Sequence, residues 1–359
     1  MDCMKEWLEP IVRVQSLSES GASSIPKRYI KPPAERPGKV VSPNEGTHGS
    51  NVPVIDIKSL VNESNPSDEA TLRAISQACR DWGFFQVVNH GVSTEMMATM
   101  RDSWNEFFRM PMAKKQRYAN SPATFEGYGS RLGVQNGAIL DWGDYFFLQL
   151  FPESIRCKEK WPTFSTTLCE TTEKYGRELR NLCRILTQAL SVTLGLEKTM
   201  LWRAFGEEEV GSSLRVNYYP KCPQPDLTLG LSAHTDPGGI TVLLPDYRVL
   251  GLQVRRGDDW ITVKPVADAF IVNIGDQIQV LSNAIYKSVE HRVTVNSVEE
   301  RASIAFFFNP RGDLLIGPVK ELVNNDRPPQ YKFMTYNEYR LYMRKLGPCG
   351  KSHIETIKA

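Results

Sequence analysis

Residues 231–240 read LSAHTDPGGI. A short apolar segment runs into His234, Thr235 and Asp236, and Pro237 with two glycines then ends it. On an extended backbone, residues i and i+2 point to the same face, so the His234 imidazole and the Asp236 carboxylate converge on one point. Such a pair is either two-thirds of a metal site or two polar residues at a strand end, and a third ligand decides between them. The chain has five histidines, at 48, 90, 234, 291 and 353. His48 lies in a Pro- and Gly-rich stretch, His353 in the C-terminal tail, and His90 in an Asn89-His90-Gly91 turn that suits a hydrogen-bonded structural histidine. His291 remains, in SVEHRV, 55 positions beyond Asp236. Two histidines and a carboxylate on a β-scaffold form a facial triad that leaves coordination positions open, an arrangement suited to non-haem Fe(II) oxygenases. Spacing alone leaves both readings open.

A second pattern favours the metal. Arg301 and Ser303 head the segment RASIAFFF, ten and twelve positions after His291. Alternation puts Arg301, Ser303, Ala305 and Phe307 on one strand face, and a guanidinium beside a hydroxyl makes a carboxylate clamp. In LRVNYYP, alternation likewise aligns Arg215, Asn217 and Tyr219. Two polar strand faces beside a candidate metal site are an awkward way to build a plain core.

The 359 residues are 41% hydrophobic and 23% charged, which fits a globular chain. A net charge of +2 and no dense Lys/Arg run give no push toward nucleic acid. No apolar run reaches membrane-span length, and the N-terminus lacks the apolar stretch of a signal peptide. The seven cysteines are scattered with no C-x-x-C, favouring free thiols and the cytosol. No obligate protein partner is evident.

Residues 31–51 read as a linker. VPVIDI (52–57) and FFQVVN (84–89) read as strands, and helices are expected near 67–82, with Ser67 or Asp68 as cap, and over 93–109, 167–195 and 335–345. From 212 onward SLRVNYY, LTLGLSA, GITVLL, LQVRR, WITVK, AFIVNIG and SIAFFFN alternate with turn residues, predicting a β-sandwich or jelly roll with a helical layer. NIGDQIQVLSN, before His291, also reads as β-rich, and the tail after Gly347 as mobile. GYGSRLG (127–133) mimics a phosphate loop but lacks the flanking strand, helix and lysine.

Taken together, IPKRYIKP, VPVIDI, WGFFQVVNHGV, RVNYYPKCPQP, AHTDPGGITVLL, FIVNIGDQIQVLSN, YKSVEHRV and RASIAFFFNP resemble the plant Fe(II)/2-oxoglutarate-dependent dioxygenases, in family order from about residue 25 to 310. EPIVRVQSLSES, EGYGSRLGV, LDWGDYFFL and GKSHIE resemble the jasmonate-induced oxygenases within them, with Ala233 and Gly143 as departures from the expected Pro and Ser. The resemblance implies an α+β fold: a double-stranded β-helix (jelly roll) core with an N-terminal helical region and a C-terminal helix. The expected division is 1–51 extension and linker, 52–205 helix-rich dioxygenase region with strands joining the core, 206–315 jelly-roll core, and 316–359 C-terminal helix and tail. It makes His234, Asp236 and His291 the Fe(II) ligands. Arg301 and Ser303 would hold 2-oxoglutarate, with Tyr219 and Asn217 assisting.

The implied reaction uses O2, with ascorbate as supporting reductant, and hydroxylates jasmonic acid. A small carboxylic acid substrate also fits the residues. Arg215 shares a strand face with Asn217 and Tyr219, and Tyr336, Arg340 and Met343 share a face of the C-terminal helix. Phe147 and Phe307 would supply an apolar wall. The alternatives are a flavonoid or phenylpropanoid oxidase, a non-catalytic ligand-binding protein on the same fold, and a zinc hydrolase.

Overall fold

Segments rich in Val, Ile and Phe build the frame, because β-branched and aromatic side chains pack well on a pleated surface. The computed structural model describes residues 7, 9–38, 51–62, 68–132 and 135–359. The strands are β1 (Val54–Asp56), β2 (Phe84–Val88), β3 (Gly127–Gly129), β4 (Asp144–Phe151), β5 (Gly211–Tyr219), β6 (Leu231–His234) and β7 (Ile240–Leu244). They continue as β8 (Leu252–Arg256), β9 (Asp259–Thr262), β10 (Phe270–Ile274), β11 (His291–Val293), β12 (Arg301–Asn309), β13 (Leu315–Ile316) and β14 (Met334–Thr335). Eight form a large sheet in the order β1-β2-β10-β7-β12-β5-β4-β3, and four form a smaller one, β6-β11-β8-β9. Side chains of both sheets line one cavity between them, the jelly-roll arrangement expected of the core.

Helices α1 (Val14–Glu19), α2 (Lys58–Val61), α3 (Glu69–Asp81), α4 (Thr94–Arg109), α5 (Met112–Lys115), α6 (Thr166–Thr193) and α7 (Met200–Phe205) precede the core strands. Asp68 caps α3 by accepting from the Ala70 and Thr71 amides, and Ser93 caps α4 through the Met96 amide. Ser67 lies outside the described residues, as do His48 and positions 39–50 of the expected linker. Helix α6 buries Leu179, Leu182, Leu186 and Leu190 in the same core as Ile304, Phe306 and Phe308 of β12. The alternate residues of β12, from Arg301 to Phe307, face the cavity instead. One strand thus serves a dry core on one side and a polar site on the other. Among the described residues no helix is long and apolar enough to cross a membrane.

Two expectations fail. NIGDQIQVLSN is not β throughout: β10 ends at Ile274, and α8 (Asp276–Leu281) follows with every residue buried. A helix buried all round shows no amphipathic period, so its apolar content reads as strand. Its first amides are satisfied by the HTDPGG loop, Asp276 N donating to Asp236 O and Gln277 N to Gly238 O. Gly127–Gly129, in the stretch that lacks a phosphate loop's flanking elements, is strand β3, whose Gly129 lies so close to the Tyr145 ring that a Cβ would come within 2.5 Å. The tail is packed, not free. After α9 (Tyr336–Leu346), Gly350 N donates to Ala233 O, and His353 and Ile354 of α10 (Ser352–Glu355) are fully buried.

His90 behaves as expected of a turn histidine. Its Nδ1 accepts from the Val92 amide, leaving Nε2 to donate to Asp268 O at 2.9 Å.

Candidate active site

Strand β6 ends at His234, and pairing with β11 sets His234 opposite His291. Their ring centroids lie 4.2 Å apart. Asp236 follows in the loop, where Gly238 and Gly275 permit close packing: a Cβ on Gly275 would meet Gly238 O at 2.4 Å. Ligand atoms of His234, Asp236 and His291 all lie within 4.8 Å of one another. The Nε2 atoms of His234 and His291 are 3.6 and 3.8 Å from Asp236 Oδ1. His234 Nδ1 is 2.8 Å from Ser232 O and His291 Nδ1 is 3.3 Å from Val289 O. With Nδ1 donating to a carbonyl, each Nε2 keeps its lone pair for a metal.

Protonation states match. Burial pushes the His234 imidazole down to about 4, helped by neighbouring His291. Burial acts to raise Asp236, but His291, His234, Thr241 and Asn273 outweigh it and hold the carboxyl below its usual range. A neutral imidazole and an ionised carboxylate are the forms that bind metal. The N,N,O donor set fits Fe(II).

Beside the triad, β12 and β5 set Arg301 opposite Tyr219 and Ser303 opposite Asn217. Arg301 is 4% exposed; its Nε donates to Val249 O, and its Nη1 is 3.5 Å from Ser303 Oγ. Burial lowers its pKa. Asn217 Oδ1 is buried with no partner. These four groups form a polar recess that a keto acid can fill.

Further out, the Arg215 guanidinium lies 4.2 Å from the Tyr145 ring centroid, and Arg340 5.9 Å from that of Phe147. With its amide oriented to accept, Gln149 O receives both Arg340 Nη2 (2.9 Å) and Nη1 (3.1 Å). Neither Arg215, Arg340 nor Arg301 has a carboxylate within ion-pair distance among the described residues. A capping box of Thr335 and Glu338 starts α9 at Tyr336, which aims Tyr336, Arg340 and Met343 inward. The cavity, about 230 Å³, is lined by all twelve residues that sequence singles out, Phe147 and Phe307 included.

Among the lining residues that sequence did not single out, Arg344, Thr241 and Asn273 matter to the site. Arg344, one turn beyond Arg340, reads as a solvent-facing helix residue, yet it lines the cavity and lies over the Phe125 ring. Thr241 and Asn273 both donate to Asp236 Oδ2. Alternation in ITVLL and FIVNI could have placed the latter two inward.

The family model described as 2OG-Fe(II) oxygenase superfamily matches residues 210–310. The model described as non-haem dioxygenase in morphine synthesis N-terminal matches 52–164. Jasmonate-induced oxygenase 2 of Arabidopsis thaliana is 56% identical over 98% of this chain and 94% of its own length. Jasmonate-induced oxygenase 1 is 55% identical over 98% and 87%. A crystal structure of JOX2 in complex with 2OG, Fe, and JA superposes with a TM-score of 0.91, at 55% identity over 99% of both chains. The chain belongs to the 2OG-Fe(II) oxygenase superfamily, in the group of jasmonate-induced oxygenases, and is an Fe(II)- and 2-oxoglutarate-dependent dioxygenase.

Proposed function

We propose that the chain hydroxylates jasmonic acid, the free acid carried by Arg215 and Arg340, and so lowers the jasmonate signal. The observation that carries this reading is a pair of guanidiniums without carboxylate partners in an aromatic-walled cavity, beside the triad. A half-buried cation in an aromatic cavity without a counter-ion is costly, and a substrate carboxylate relieves that cost. The likeness to a protein crystallised with 2OG, Fe and JA points the same way.

His234, Asp236 and His291 would hold the iron, each histidine through Nε2 and the aspartate through Oδ1. Arg301 and Ser303 would bind the far carboxylate of 2-oxoglutarate, with Asn217 and Tyr219 closing the recess. With iron and the keto acid bound, the chemistry supplied is O2-driven hydroxylation of an unactivated C–H, with succinate and CO2 as co-products. The residues orient and exclude. Arg215 and Arg340 fix one end of the substrate, while Phe147, Phe307 and Tyr336 hold its apolar body and displace water from the reacting carbon. We place the reaction in the cytosol, on the scattered reduced cysteines.

The test is succinate release with Fe(II), 2-oxoglutarate and ascorbate over jasmonic acid, its amino-acid conjugates, other oxylipins and flavonoids. Jasmonic acid should stimulate release most. Turnover of flavonoids with none of jasmonic acid would defeat the substrate assignment.

A further inference from the structure

Asp236 differs from the two histidines in how it is held. His234 and His291 sit on paired strands, with their rings fixed by backbone carbonyls. Asp236 lies beyond the end of β6, so the sheet does not set the direction of its carboxylate. Two side chains do. Thr241 Oγ1 on β7 donates to Oδ2 at 2.6 Å, and Asn273 Nδ2 on β10 donates to the same oxygen at 2.8 Å. Thr241 and Asn273 are directly opposite each other in the β7–β10 register. This cross-strand pair therefore presents two donors at one point. Both are buried, at 5% and 3% exposure, so water cannot readily replace them.

We propose that Thr241 and Asn273 are positioning residues that occupy Asp236 Oδ2 and leave Oδ1 alone to face the metal, an inference that rests on reading the triad as the iron site. The consequence is a coordination count. Two histidines and a single carboxylate oxygen leave an octahedral ion three open positions, whereas a carboxylate offering both oxygens leaves two. The keto acid and the carboxylate would then compete with O2 for space. By engaging Oδ2, the pair keeps the aspartate to one bond and fixes its direction.

The test is Mn(II) titration of the metal-free full-length chain, following loss of the free Mn(II) resonance signal. Thr241→Val replaces the hydroxyl with a methyl of equal size on a strand that favours β-branched residues. Thr241→Ser restores a donor, and Asn273→Leu removes the second one from the other strand. The expected result is Mn(II) binding weakened roughly 10-fold by Thr241→Val and by Asn273→Leu, the scale of outer-partner loss at metal sites. Thr241→Ser should stay within about 3-fold of the native chain, a rescue that a merely space-filling role would not produce. Native affinity in a folded Thr241→Val or Asn273→Leu chain would overturn the proposal. If Asp236→Ala binds Mn(II) as the native chain does, the triad reading itself fails, and the proposal with it.

Discussion

Replacing Arg340 by Met should raise KM for jasmonic acid and leave KM for 2-oxoglutarate unchanged. Met keeps the apolar stem and a comparable helix propensity, so α9 and its packing persist while the charge goes. Hydrogen bonds to a charged group contribute about 1.5–3 kcal/mol, and about 1.4 kcal/mol is tenfold in affinity, so KM should rise roughly 10- to 100-fold. Gln149 gives a graded control. Its amide oxygen lies 2.9 and 3.1 Å from the Arg340 nitrogens and helps to aim the guanidinium without touching the anion site. Gln149→Leu removes neutral acceptor bonds worth about 1 kcal/mol and should raise KM about fivefold. Initial rates of succinate release, with jasmonic acid and with its methyl ester, separate the charge term from the rest. The native chain should strongly prefer the acid, and Arg340→Met should cut that preference roughly 10- to 100-fold, with Arg215 retaining the remainder. If the acid-over-ester preference is undiminished in Arg340→Met, Arg340 does not bind the carboxylate and the reasoning fails.

Arg301→Met should raise KM for 2-oxoglutarate more than about tenfold, since a buried guanidinium–carboxylate pair is among the stronger charge-assisted bonds, while Mn(II) affinity stays at the native value. Lys31→Met should destabilise the fold. Lys31 Nζ lies 2.8 Å from both Asp141 Oδ1 and Ser232 Oγ, and removing one partner of a buried pair costs about 3–5 kcal/mol. Asp141 keeps the Ser232 hydroxyl and some solvent, so about 2–3 kcal/mol is expected, read as a lower urea midpoint. His90 should make stability acid-sensitive. Burial lowers its pKa below 6.5, so below that pH the unfolded chain binds more protons than the folded one, and stability that is full above about pH 6.5 falls as pH drops. His90→Asn removes that component, so its urea midpoint should approach the native one between about pH 7.5 and 5.5; a constant gap would refute this.

The sequence discloses faces better than neighbours. Alternation correctly sends Arg301, Ser303 and Phe307 inward and Ile304 and Phe306 outward, because the period of two is local. It cannot say that Asn273 lies across from Thr241, or His234 from His291, because register is fixed by pairing of distant segments. His291 is legible only by elimination of the other histidines, since β11 is only three residues long and carries little strand signal. The two missed donors to Asp236 follow from the same gap: an inward Thr or Asn reads as lining until the register shows which oxygen it meets. The proposed substrate is legible only through a subgroup resemblance, because an arginine on a strand is the same letter with or without an anion beside it.

The smaller sheet raises a separate problem. Two ligands sit on it, yet its strands are three to five residues long, and β6 is at its edge. A short edge strand is poorly anchored and exposes unpaired backbone groups. Both flanking segments of the chain supply what the sheet lacks. From the N-terminal side, Lys31 in IPKRYIKP holds the Ser232 hydroxyl, and Ser232 O in turn orients the His234 ring. From the C-terminal side, Gly350 pairs with the free edge of β6 through Ala233 O. The same C-terminal region also carries α9, where Tyr339 donates to Asp276, a carboxylate that accepts from Thr235 between two of the ligands. The stretches outside the jelly roll therefore have a physical reason to be retained with it. They give a ligand platform of four short strands the rigidity that its own hydrogen bonds cannot, and they tie the helix bearing Arg340 to the loop bearing Asp236.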